Sequence, residues 1–240
     1  MKPYSLAWLL AAGAAMLPIG SSCPGVGNCQ SDEPFCIIPW QGEAYQYKLL
    51  GQCDLAYLSD DNFADGLGLH IHTRTKNDEQ GGHFAYIEEV AIRIGEDTLE
   101  VGRSYHLLNN ATVDLVSQNQ YIGGFPIIFD DQETEESKKF YTIDLDGTYP
   151  DQKIVISVYE KFLRLSFPGS NQAAFEHSIG LLGNSTSGEL VGREGENLDH
   201  YVMLIYDFQV LPTEPQIFHT TRAPQFPDSC IYPDYSSPLV

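Results

Sequence analysis

The chain has 240 residues, 42% of them hydrophobic, which suits one large domain with a sizeable core. It carries 33 acidic against 13 basic residues, a formal net charge of −20, so phosphate backbones and anionic lipid surfaces are poor partners and no nucleic-acid role is expected. Such a field favours solubility, divalent cations and basic partners without specifying any of them.

The chain opens Met1-Lys2-Pro3-Tyr4-Ser5, runs without charge from Leu6 to Gly20, and then presents the small residues Ser21 and Ser22. One basic residue, a short apolar core and a small-residue end predict a cleaved signal peptide over residues 1–22. The competing readings are a short membrane anchor or lipidation of Cys23, although Gly20 stands where a lipobox usually has a branched aliphatic. The later apolar run Ile154 to Phe167 is broken by Glu160, Lys161 and Arg164, so no membrane span is expected in the mature chain. The expectation is a secreted, extracellular protein.

After the leader, residues 23–39 are rich in Cys, Pro and Gly and predict disulfide-tied loops. The disulfide candidates are Cys23, Cys29, Cys36, Cys53 and Cys230, with a bridge joining the two ends of the domain expected in an oxidising compartment. Such a bridge would close a loop of roughly 180 residues, for which chain entropy gives about 5 kcal/mol. Five is odd, which leaves one thiol free, lipidated or paired to another chain.

Residues 40–210 predict an all-β domain, a β-sandwich of two antiparallel sheets. Tyr45, Tyr47 and Leu49 alternate with polar residues, and Leu67, Leu69, Ile71 and Thr73 alternate with Gly68, His70, His72 and Arg74. Phe84, Tyr86 and Val90 to Val101 predict a pair of strands turning at Glu96-Asp97. Tyr121 to Phe129 and Phe140 to Leu145 follow, separated by the acidic stretch Asp130 to Glu136. Ile154, Ile156 and Val158 alternate, the chain turns at Glu160-Lys161, and Phe162 to Phe167 return. Leu198 to Phe208 is the one helical candidate, with Tyr201, Leu204, Ile205 and Phe208 at three-and-four spacing. Residues 211–240 hold Pro212, Pro215, Pro224, Pro227, Pro233 and Pro238 and predict an extended tail lying over the domain as far as Cys230.

Little in the pattern points to catalysis. Nucleophile elbow, zinc-protease helix and phosphate-binding loop are all missing. His70 and His72 lie two apart on one strand face, a spacing that could hold a transition metal if His83, His106 or His177 joined them; the alternative is a solvated strand face beside Arg74. Glu176-His177 invites an acid–base reading, and the Asp130 to Glu136 stretch reads as a solvated loop able to meet basic partners or loosely held calcium. Asn110-Ala111-Thr112 and Asn184-Ser185-Thr186 are N-glycosylation sequons. The stretch Ser178 to Gly195 is a Gly-rich polar loop whose carbonyls and side-chain oxygens converge.

Two segments carry a family likeness. Tyr47-Lys48-Leu49-Leu50-Gly51-Gln52-Cys53-Asp54-Leu55 resembles the opening of von Willebrand factor type D domains, and Ile179-Gly180-Leu181-Leu182-Gly183-Asn184 resembles their Gly-Leu-Cys-Gly-Asn signature. The aromatic-rich stretch from Phe208 to Phe218 falls in the same order, and the likeness spans roughly residues 40 to 232. The signature cysteine is Leu182 here, and the family's early Asp-Gly is Gln41-Gly42. What the resemblance implies is a secreted module for matrix, adhesion or assembly, with no catalytic residues, binding extracellular proteins or glycans or, through disulfides, itself. It also implies a calcium site at Asn184, with Thr186 and the Gly188 carbonyl where further ligands would fall. A glycan on Asn184 would compete with that site. No Asp-Pro dipeptide occurs, so the self-cleavage of some family members is not expected. The alternatives are a secreted carbohydrate-active or other hydrolase on a β-sandwich, built on His70, His72 or Glu176, and a calcium-dependent binding module.

Overall fold

A computed structural model describes residues 36–41, 45–46, 53–77, 85–131, 139–169, 172–199, 201–211 and 213–220. Cys23, Cys29, Cys230, His83 and most of the acidic stretch after Asp131 lie outside these residues, as does the leader. The described chain is all-β. Strands β1 (Cys36–Ile37) and β2 (Tyr45–Gln46) form a small antiparallel pair. Then follow β3 (Asp54–Asp60), β4 (Leu69–Asn77), β5 (Ala85–Ile94), β6 (Asp97–Gly102) and β7 (His106–Leu108). The second run is β8 (Gln120–Ile122), β9 (Phe125–Asp130), β10 (Lys139–Asp144), β11 (Lys153–Val158), β12 (Leu163–Ser166) and β13 (Ile179–Gly180). A one-turn helix α1 (Phe63–Gly66) links β3 to β4, and α2 (Tyr201–Asp207) falls within the predicted helical stretch.

The strands pair antiparallel in the order β13-β3-β4-β5-β12-β11-β10-β9-β8, with β6 branching from β5 and β7 from β6. Two separate sheets were the expectation. Apart from the β1–β2 pair, the described strands are linked in one hydrogen-bonded network in which Leu163 of β12 pairs with Ile87 of β5, so a two-sheet sandwich is not confirmed.

Alternation decides what faces the core. Leu69, Ile71, Thr73 and Thr75 of β4 point inward and are buried, and so do Tyr141 and Ile143 of β10, Ile154 and Ile156 of β11, and Leu163 and Leu165 of β12. Each large apolar side chain so buried contributes about 1.5–3 kcal/mol. One continuous cluster draws on both halves of the sheet. Phe63 lies at its centre, its ring 5.7 Å from Phe125 of β9, 5.3 Å from Tyr149 and 6.5 Å from Phe175. The Asp97 carboxylate accepts the Gly123 N–H at 2.9 Å, tying the β5–β6 turn to the β8–β9 turn. Gly123 has φ +57°, and a Cβ there would lie 2.3 Å from Ile94 Cγ2, so both backbone and space demand glycine.

The other face of β3, β4 and β5 is polar, as the alternation implies, but it is covered. Asp54, Arg74 and Glu89 form one cross-strand row, and Ala56, His72, Ala91 and Glu100 the next. Residues 213–220 lie across them: Ile217 and Phe218 bury Ala91, and the Phe218 ring sits 4.2 Å from the Arg74 guanidinium carbon. The Thr220 carbonyl accepts from Arg74 Nη2 at 3.1 Å, and the His219 N–H donates to Glu100 at 2.7 Å. A solvated strand face beside Arg74 is therefore corrected: Arg74 and His72 are both buried. The tail crosses this face because two aromatic and aliphatic side chains cover Ala91 while its backbone satisfies two buried charges.

Candidate functional site

The loop after β13 is the best-organised polar feature, and its neighbours explain its shape. Ile179 and Gly180 pair with Ser59 and Leu58 of β3, and the Leu181 N–H donates to the Tyr57 carbonyl at 3.0 Å. Gly180 has φ +143°, and a Cβ there would lie 2.3 Å from the Tyr57 carbonyl oxygen, so only glycine lets the two backbones meet. Leu182 is buried in the core. Its carbonyl accepts from the Trp40 N–H at 3.0 Å, and the Trp40 ring stacks on Phe175 at 5.1 Å and tilts against Phe167 at 5.3 Å.

Beyond Leu182 the loop is wired to itself. The Asn184 side-chain oxygen accepts the backbone N–H groups of Thr186 and Ser187 at 2.9 and 2.8 Å, an Asx-type turn. Its own backbone N–H donates to the Glu189 carbonyl, and its carbonyl accepts from the Gly188 N–H, both at 2.9 Å. Buried Ser185 donates its hydroxyl to the Phe175 carbonyl at 2.7 Å. Above the loop, Gln41 Nε2 donates to the carbonyls of Ser185 and Thr186, at 3.3 and 3.1 Å.

As a calcium site, Asn184, Thr186 and Gly188 make a poor donor set. Calcium takes about six to eight oxygens, usually several of them carboxylate. Here the Asn184 oxygen already accepts two N–H groups, and the Ser185 and Thr186 carbonyls meet an amide nitrogen. Glu189 is exposed and enters the loop through its backbone.

The histidines do not converge. His70 and His72 share a face, as their spacing requires, with His70 opposite Ser59 and Arg93, and His72 opposite Ala56 and Ala91. Burial pushes the His72 imidazole down to about 3, with His70, Arg93 and Arg193 opposing its charge as well. Its Nδ1 has no hydrogen-bond partner among the described residues. Burial and then Arg93 also lower His70, whose Nε2 lies 3.5 Å from Asp61. His106 stands apart on β7: Nε2 donates to the Val113 carbonyl at 2.9 Å, which leaves Nδ1 to accept from Tyr141 Oη at 3.1 Å. Glu176 and His177 are exposed in the turn following the 3-10 segment Gln172–Phe175. Among the described residues no three His, Cys, Asp or Glu side chains are grouped to hold a metal ion.

Of the two sequons, Asn110 is exposed at a turn with φ +64°, whereas Asn184 is half-buried in its own hydrogen-bonded loop. Cys53 is fully buried and disulfide-bonded, and Cys36 opens β1. The sequence alone did not single out Arg74 with Asp54, or Trp40 and Gln41 against the loop. No helix of the described residues is long and apolar enough to cross a membrane. Compared with known proteins, the chain matches no family model and no curated protein.

Proposed function

We propose that this chain is a secreted, non-enzymatic extracellular module serving matrix, adhesion or assembly, built like a von Willebrand type D domain. The observation that carries this is a meeting of three distant segments. The Ile179–Asn184 stretch pairs with β3, β3 begins just after the disulfide-bonded Cys53, and Trp40-Gln41 closes over the loop that follows. The first two of these carry the family likeness, Trp40-Gln41 stands where the family's Asp-Gly differs, and Gln41 reaches Thr186 across 145 residues.

The side chains on which a hydrolase reading rests stand in different settings: His72 is buried, His70 is half-buried beside Ser59 and Asp61, and Glu176 stands exposed on a turn. The partners that fit are extracellular proteins or glycans, or further copies of the chain joined through an odd cysteine.

The test is to express the tagged full chain with its own leader and follow it into the cell interior, the medium and the insoluble extracellular material. Recovery outside the cell, with a share bound to the insoluble material or linked to itself, supports the proposal. Retention inside the cell as a free monomer overturns it.

A further inference from the structure

We propose that Gln41 is a built-in substitute for a cation, so that the loop from Gly183 to Leu190 closes without metal. Two backbone carbonyls, Ser185 and Thr186, point at a single atom, Gln41 Nε2, at 3.3 and 3.1 Å. Converging carbonyls repel one another unless something positive lies between them. A side-chain NH2 group has two donor hydrogens and no net charge, and it satisfies two acceptors at once. Orientation of the amide follows from the same count, since only its nitrogen can face two carbonyls.

Three features hold the amide there. The Trp40 N–H is fixed to the Leu182 carbonyl, and the Trp40 ring is wedged between Phe175 and Phe167, so residue 41 has little freedom to withdraw. Gly188 has φ +72° and passes under the Gln41 stem; a Cβ on it would lie 2.7 Å from Gln41 Cβ. Another loop acceptor, the Asn184 side-chain oxygen, is occupied by the N–H groups of Thr186 and Ser187. The loop is thus closed by neutral donors alone, and a single substitution at residue 41 decides whether it needs a cation.

Gln41→Glu keeps the size but aims a carboxylate at the two carbonyls, an arrangement that calcium would bridge. Gln41→Leu removes both hydrogen bonds and adds no charge. The experiment compares thermal unfolding of the full secreted chain and both variants in chelator and in millimolar calcium. Expected are a wild-type Tm that calcium leaves unmoved, a Gln41→Glu Tm several degrees lower in chelator and raised by calcium, and a Gln41→Leu Tm that is lowered and indifferent to calcium. A wild-type Tm raised by calcium overturns the proposal. So does wild-type stability in both variants, and so does a Gln41→Glu protein that calcium fails to raise. If either variant does not fold in chelator, its recovery by refolding with calcium gives the same discrimination, and the wild-type titration stands by itself.

Discussion

Arg74 and Asp54 form a paired contact beneath the C-terminal segment: Nε and Nη2 of the arginine meet the two carboxylate oxygens at 2.8 and 2.9 Å, with both side chains buried. Nη1 of the same guanidinium reaches Glu89 at 2.8 Å, and Nη2 also holds the Thr220 carbonyl. Burial alone would lower the arginine pKa, but the hydrogen bonds and charges of Asp54 and Glu89 raise it above its usual value. Removing one partner of a buried pair leaves the other charge uncompensated, which costs about 3–5 kcal/mol. Arg74→Ala is expected to lose that much in chemical denaturation and to speed proteolysis near residues 213–220. Arg74→Lys is expected to recover only part, since an ammonium cannot make the paired contact. Wild-type stability in Arg74→Ala would refute the anchoring role.

His72 makes stability pH-dependent. Its folded pKa, about 3, lies below the ordinary value of 6.5. Above pH 6.5 the ring is neutral whether the chain is folded or not, so it contributes no pH dependence. Below it the unfolded chain takes up a proton that the folded chain refuses, so stability falls from pH 6.5 down to about 3, by up to about 5 kcal/mol. His72→Leu is expected to flatten this part of the profile, read as the difference between the two proteins across that window. Parallel profiles would show that His72 is not held neutral.

Gly180 permits β13 to reach β3. Gly180→Ala would force φ +143° on a residue with a side chain and drive its Cβ into the Tyr57 carbonyl. The expected loss exceeds about 2 kcal/mol, because strain and the steric conflict add. Gly124→Ala, also at positive φ but with nothing within 4 Å of its Cβ, is the matched control and should lose less. Equal losses at both positions would mean that conformation alone, not the β3 contact, sets the cost.

Phe63 joins the halves of the sheet. It is 1% exposed and touches rings from β9, from the turn at Tyr149 and from the 3-10 segment. Phe63→Ala is expected to cost about 3–5 kcal/mol with one cooperative transition preserved at a lower midpoint. Two separate transitions would show that the halves have independent cores.

Much of the strand pattern was legible because a period of two marks which side chains share a face. Leu67, Leu69, Ile71 and Thr73 were readable as one face; Leu69, Ile71 and Thr73 are buried together, whereas Leu67 precedes β4 and is exposed. Periodicity does not say what covers a face, so the covering of Arg74 by Phe218, 144 residues later, left no local trace. For the same reason the Leu163–Ile87 pairing that links β12 to β5 was hidden. In the loop, Asn184 and the glycines were visible as turn chemistry. The partner of the Ser185 and Thr186 carbonyls was not, because Gln41 reaches them across 144 and 145 residues.

The measurement that bears most directly on the account is the intact mass of the exported chain, taken with and without reductant. A secreted, disulfide-tied module should lack about 20–22 N-terminal residues and should gain hydrogens on reduction, those of the Cys53 bridge included. A ladder that collapses under reductant would extend the account to covalent assembly. A species that retains Met1 and has every thiol free would contradict it.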